Sequence, residues 1–218
     1  MSSRKLKVKG ILLDMDGTIV DTKDAYIEAA KIAFKATGQN PPITAVALEI
    51  PKRIEQKQPL TDIVKVEIKK FLDVYLEAFY AIAHDKTKPI PHVAGALEEL
   101  SGKAKLALIT MRFVPKEALI EELRQFHLDL YFTHVVTALD THKPKPSPEA
   151  LIKAVRAMDV QMCDCVIVGD SVIDVRAGKA AGAKTVAVLS GLYSRKELGE
   201  ADPNFIINDV TELPKLIE

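Results

Sequence analysis

Hydrophobic and polar positions along this chain fall into two regimes. Residues 8–13 are nearly all apolar, the pattern of a parallel strand buried on both faces. The spacing then turns helical. Over 23–37, Tyr26, Ala29, Ala30, Ala33 and Phe34 share one face, with Gly38 as a stop. A second helix is predicted from Thr44 and limited by Pro51, with a polar, basic loop over 52–58 closed by Pro59. A long amphipathic helix over 61–84 carries Ile63, Val66, Ile68, Phe71, Leu72, Tyr75, Leu76, Phe79 and Ile82. No strand is convincing between Lys23 and His84.

The stiff segment Lys88-Pro89-Ile90-Pro91 marks a return to the first regime. Helix and strand patterns then alternate. Strands are expected over 105–110, 134–139, 165–168 and 185–189, with a short edge strand over 205–207. Helices are expected over 93–100, 115–126, 148–158, 172–181 and 210–217. The fold class this predicts is α/β: a doubly wound, Rossmann-like parallel sheet formed by residues 1–20 and 89–218. The helical segment 21–88 is inserted into it as a second unit.

Composition narrows the functions open to such a chain. Its 218 residues are 48% hydrophobic and 28% charged, enough for a core and a hydrated surface. Formal net charge is zero, so no basic field recruits nucleic acid or an anionic membrane. No apolar leader and no apolar run of about eighteen residues is present, which leads to the expectation of a soluble, cytoplasmic protein. Cys163 and Cys165 read as buried thiols rather than half of a metal site. The histidines are scattered without ligand spacing and take no role.

Chemistry collects at the strand ends, where open α/β sheets bind ligands. The first strand runs into Asp14-Met15-Asp16-Gly17-Thr18. Carboxylates two apart on extended chain point the same way, and Gly17 permits the bend that follows. Like charges at the end of an apolar strand need a cation or a proton between them. That pairing suggests a metal site in which one carboxylate is a nucleophile and the other a proton donor. An EF-hand loop is excluded, because its twelfth position would be Ala25 rather than Glu. Later strands end in Thr110, in Lys143-Pro144-Lys145-Pro146-Ser147-Pro148, and in Gly169-Asp170-Ser171-Val172-Ile173-Asp174. Each is weak alone; together they supply a hydroxyl, an ammonium and further carboxylates in chain order.

In that order, Asp14-Met15-Asp16-Gly17-Thr18, Thr110, Lys143 and Gly169-Asp170 with Asp174 resemble the four motifs of the haloacid dehalogenase-like hydrolases. The proline-flanked lysines resemble the phosphoglycolate phosphatase-like branch, and the insertion looks like that family's small helical cap. The sequence departs from the pattern at Met111 and Arg112, where relatives often carry Asn after the Thr. The resemblance implies that Asp14 attacks phosphorus to form an aspartyl phosphate. Asp16 would act as general acid and base, its proton affinity raised by the neighbouring carboxylate. It further implies that Mg²⁺ binds Asp14, the backbone carbonyl of Asp16, and Asp170. Lys143 would stabilise the transferring group and Thr110 would hydrogen-bond it. Asp174 is expected to hold Lys143 or a metal-bound water.

Around this set, Arg112 is a candidate substrate or structural contact. Lys52 and Arg53, placed in a cap loop, are candidates for the substrate's non-reacting end. Lys145 is expected to be exposed, and Ser171 to cap the following helix. The function implied is a Mg²⁺-dependent phosphatase on a small phosphorylated metabolite. A sugar-phosphate mutase of the same family and a non-catalytic phosphate-binding module stand as alternatives. Dehalogenation is disfavoured by the presence of Asp16, and phosphonate cleavage by the want of an identifiable Schiff-base lysine in the insertion.

Overall fold

The computed structural model describes residues 5–218; residues 1–4, assigned to the core on sequence, lie outside the described residues. By contact density the chain separates into two compact units, one ending at Val20 and resuming at Pro89–Glu218, the other Asp21–Lys88.

The first unit is built on strand β1, Gly10–Leu13, which is buried at every position. The chain leaves this unit at β2, Val20–Asp21, runs through helices α1 (Lys23–Ala36), α2 (Thr44–Glu55) and α3 (Ile68–Lys86), and returns at β3, Lys88–Pro89. There follow α4 (Val93–Ser101), β4 (Lys105–Ile109), α5 (Lys116–Gln125), β5 (Phe132–Val136) and α6 (Glu149–Met158). The last third holds β6 (Cys165–Gly169), α7 (Val172–Ala181), β7 (Lys184–Val188), α8 (Arg195–Glu200), β8 (Phe205–Ile207) and α9 (Leu213–Leu216).

Six of these strands form one sheet in the order β5-β4-β1-β6-β7-β8. Every pairing in it is parallel. The chain therefore starts in the middle, builds outward to one edge, then crosses back to build the other. That is the doubly wound order, with its switch point beside β1. The α/β expectation is correct.

Alternation along the strands sorts side chains onto two covered faces. Ile11, Leu13, Leu106, Leu108, Val166 and Val168 face one way and pack with Leu97 and Leu100 of α4, Leu123 of α5 and Leu213 of α9. Leu12, Ala107, Ile109 and Ile167 face the other way, against Leu151, Ala154 and Met158 of α6 and Ala177 of α7. Leu12 and Leu151 have no exposed surface. Burying one such leucine contributes roughly 1.5–3 kcal/mol, so this double coverage fixes the sheet firmly.

The second unit has its own core. Small residues on α1 (Ala25, Ala29, Ala30 and Ala33) share a cluster with the bulky Phe71, Tyr75 and Phe79 of α3. Tyr26 stacks on Phe79 with ring centroids 5.1 Å apart, and Phe34 meets Phe71 edge-on, also at 5.1 Å.

Several boundaries differ from the sequence expectation, which has no counterpart of α8; three of the differences bear on packing and on the strand ends. Helix α2 continues through Pro51 to Glu55. The buried Ala47 and Ile50 and the partly buried Ile54 form one stripe across the proline, and its burial outweighs the missing hydrogen bond. Helix α3 starts at Ile68 rather than Thr61. Leu60 and Val64 enter the cluster through a separate turn, in which the Leu60 carbonyl accepts from the N–H groups of Ile63 and Val64. Strand β5 begins at Phe132, ahead of the expected His134, and ends at Val136. Thr137 there caps a short 3₁₀ turn, its Oγ1 accepting from the Leu139 N–H. Among the described residues, no helix is long and apolar enough to cross a membrane.

Candidate active site

Register places the site. Leu13 of β1 lies level with Leu108 of β4 and Val168 of β6, so the residues just beyond those strands emerge along one edge of the sheet. Asp14 is still tied to it, its N–H donating to the Val168 carbonyl at 2.9 Å, and the Thr110 N–H donates to the Val136 carbonyl at 3.0 Å. The chain turns immediately after Asp14, where the Met15 carbonyl accepts from Thr18, Ile19 and Val20. Gly17 makes that turn at φ +77°, a conformation costly for any residue with a Cβ.

Asp14, Asp170 and Asp174 each bring a carboxylate oxygen within 4.8 Å of the others, and all three residues are buried. Asp170 follows β6, and its Oδ2 accepts from the Leu192 N–H at 3.2 Å. It lies in a notch between two glycines. A Cβ on Gly17 would come within 2.6 Å of Asp170 Oδ2, and one on Gly191 within 1.7 Å. Asp174 sits in the first turn of α7, where its Oδ2 accepts from the Ser171 N–H at 3.2 Å. Ser171 caps that helix, its Oγ accepting from Ile173 N–H at 3.1 Å.

The ammonium in this cluster belongs to Lys145. Its Nζ donates to Asp14 Oδ1 at 2.5 Å and to Asp174 Oδ1 at 2.6 Å, with the side chain 2% exposed. The sequence expectation had Lys143 in this role and Lys145 in solvent; the structure reverses them. Asp14 and Asp174 draw Lys145 inward, and Glu149 fastens the preceding stretch of the loop. Its carboxylate accepts from the backbone N–H groups of His142 and Lys143 at 2.8 and 3.0 Å, and Lys143 itself is exposed.

Burial pushes the Asp14 carboxyl well above the ordinary carboxylate range, Lys145 opposes that, and Asp174 and Asp16 reinforce it. Burial by itself would lower the Lys145 ammonium, but Asp14 and Asp174 outweigh it and hold Lys145 above its usual value. When ionised, the three carboxylates carry three negative charges and Lys145 returns one. Two buried negative charges remain. An all-oxygen donor set with that balance suits a hard divalent cation.

Asp16 stands apart from this cluster. Its carboxylate, 15% exposed, is gripped on both oxygens by Arg112. The guanidinium Nε reaches Oδ2 at 2.9 Å and Nη2 reaches Oδ1 at 2.7 Å. Of the two roles expected for Arg112, substrate contact or structural contact, this pairing favours the structural one, since the side chain is buried among protein carboxylates. Thr110 lies beside it, its Oγ1 accepting from the Arg112 N–H at 3.1 Å. Arg53 is on helix α2, not in a loop. It pairs with Glu49 and Asp62 and donates to the Pro59 carbonyl, all within its own unit. Lys52 also pairs with Glu49, at 3.6 Å.

Sequence reasoning missed Lys145, Gly191 and Glu122. Glu122 carried a readable signal, an acid on the buried face of α5 beside Leu119 and Leu123. Gly191 carried none.

Residues 11–188 match the family model described as haloacid dehalogenase-like hydrolase. The chain belongs to this family. It is 29% identical over 222 residues to a phosphoglycolate phosphatase from Nitrosospira multiformis, covering 98% of this chain and 97% of that protein. It is 26% identical over 223 residues to the pyrophosphatase PpaX of Halalkalibacterium halodurans, covering 97% and 98%. Among solved structures, a haloacid dehalogenase-like family hydrolase from Streptococcus pneumoniae superposes with a TM-score of 0.81 at 19% identity, over 95% of this chain and 97% of that one. That likeness speaks for the fold.

Proposed function

We propose that this haloacid dehalogenase-like hydrolase is a Mg²⁺-dependent phosphatase acting on small phosphomonoesters through an aspartyl phosphate on Asp14. The observation that carries the reading is the bridge from Lys145 to both Asp14 and Asp174, beside Asp170, at the end of the central strand. Relatives named for phosphoglycolate and pyrophosphate hydrolysis support it.

Asp14 and Asp170 are the residues that would hold the cation, with the Asp16 backbone carbonyl, and Asp174 keeps Lys145 in place. When bound, the cation supplies charge neutralisation at the phosphoryl group. Lys145 orients the Asp14 carboxylate and offers a positive charge to the equatorial oxygens. Thr110 Oγ1 accepts from Arg112 N–H, which leaves its own proton to donate to a phosphate oxygen.

An Asp14 oxygen attacks phosphorus, and the bond from phosphorus to the ester oxygen breaks. Asp16, protonated on the side of its carboxyl that Arg112 does not grip, passes that proton to the oxygen, and the alcohol departs. Water then attacks the aspartyl phosphate and yields its proton to Asp16. The bond from phosphorus to Asp14 breaks and inorganic phosphate leaves. Division into two displacements lets one carboxylate serve as acid and then as base.

In this reading the inserted unit Asp21–Lys88 is the cap that selects among esters. Location in the cytoplasm is part of the same reading, consistent with the free thiols of Cys163 and Cys165.

The test is phosphate release from a panel of phosphoglycolate, sugar phosphates, nucleoside monophosphates and pyrophosphate, with Mg²⁺ or EDTA, for wild type and Asp14→Asn. Metal-dependent turnover absent from the variant is expected. Equal turnover by wild type and Asp14→Asn would overturn the proposal.

A further inference from the structure

Arg112 and Glu122 form a buried pair with no part in the steps above. Each residue is 5% exposed. Beyond its two bonds to Asp16, the Arg112 guanidinium donates from Nη1 to Glu122 Oε2 at 2.7 Å. Its backbone is also held, the N–H by Thr110 Oγ1 and the carbonyl by the Ala138 N–H at 3.1 Å. Glu122 projects from α5, whose Leu119 and Leu123 are locked in the main core. The guanidinium is therefore fixed at both ends before it meets Asp16.

Such an arrangement adds little to stability, because desolvation of the three charges offsets their attraction. What it supplies is direction. A two-pronged guanidinium–carboxylate contact sets both torsions of the aspartate, as a lysine point charge would not. Asp16 stands just before the tight turn at Gly17 and has a solvent-facing edge, so without a clamp its carboxylate would sample several rotamers.

We propose that Arg112, braced by Glu122, is a positioning residue that aims the Asp16 carboxylate at the ester oxygen. The inference rests on the phosphatase reading. Neither side chain touches the reacting atoms; both act through Asp16.

Dependence on the leaving group separates this role from a structural one. An alkyl phosphate expels an alkoxide, which needs a proton as the bond breaks. 4-Nitrophenyl phosphate expels a stable phenolate, which hardly needs one. Misaligned Asp16 slows the first far more than the second, whereas a loosened fold slows both alike.

The experiment measures kcat and KM on phosphoglycolate and on 4-nitrophenyl phosphate. Wild type is compared with Arg112→Lys and with the double variant Arg112→Met/Glu122→Gln, which leaves no unpaired buried carboxylate at position 122. On phosphoglycolate, kcat of the double variant should fall by about 10²-fold, the low end of general acid–base catalysis. KM should hold, and 4-nitrophenyl phosphate should be nearly spared. Arg112→Lys should fall between, and it carries the comparison if the double variant folds poorly. Equal losses on both esters, or a gain on phosphoglycolate, would overturn the inference. Asp14→Asn run in parallel tests the phosphatase reading separately: turnover surviving that change sinks the reading, and wild-type inactivity on both esters sinks both.

Discussion

The Lys145 ammonium lies 2.5 Å from Oδ1 of Asp14, a carboxylate 131 positions earlier in the chain. Lys143, two residues away, is exposed, and its backbone N–H donates to Glu149 Oε2. Lys145→Met should therefore cut kcat by about 10²–10³, the usual loss for removing one group that stabilises transition-state charge. Lys143→Met should leave kcat close to wild type. Steady-state kinetics on one phosphomonoester check this, with urea unfolding to register the separate cost of breaking a buried pair. Comparable losses from the two variants would refute the assignment.

How the two lysines were exchanged shows where sequence reading stops. Continuous apolar runs mark β1, β4, β6 and β7 to within about two residues, because parallel strands buried on both faces leave such runs. The turn at Asp14-Met15-Asp16-Gly17 was legible for the same reason, since it directly follows such a run. In Lys143-Pro144-Lys145-Pro146 no periodicity exists, and burial of one lysine over the other depends on Glu149 and Asp174, which the local pattern does not contain. The place of Arg53 escapes the local pattern for a related reason: Pro51 reads as a terminus, while the apolar stripe through Ile54 carries the helix past it. Arg112 and Asp16 are 96 positions apart, and only the sheet order brings them together.

The charge balance of the carboxylate cluster makes a second prediction. Mg²⁺ binding to the folded protein alone should raise Tm, by a stabilisation of about 2.7 kcal/mol at a hundredfold excess over Kd. Asp170→Asn should abolish the rise. Gly191→Ala should do the same, because its methyl would occupy the space of the Asp170 carboxylate. Thermal melts with and without Mg²⁺ decide it, and a full shift in Asp170→Asn would contradict the assignment of that residue.

Thiol chemistry gives a pH prediction. Burial pushes the Cys165 thiol up to about 11, while Cys163, expected to be buried as well, is exposed. In the unfolded chain the Cys165 thiol ionises at its ordinary value, so the unfolded state binds fewer protons than the folded one above that point. The associated stability is complete below about pH 8.5 and is lost as pH rises toward 11. Urea unfolding from pH 8 upward should show a falling midpoint, and Cys165→Ala should flatten that part of the profile. In the native protein at pH 8 a thiol reagent should modify Cys163 quickly and Cys165 only on unfolding. Simultaneous modification of both would show that Cys165 is not enclosed.

The most direct test of the central claim is to trap the covalent intermediate. The enzyme is mixed with a ³²P-labelled phosphomonoester and Mg²⁺, quenched in acid within the first turnover, digested and mapped. Label on the peptide containing Asp14, released by hydroxylamine and absent from Asp14→Asn, is the result this account predicts. Turnover without a labelled peptide, or label that persists in Asp14→Asn, would contradict it.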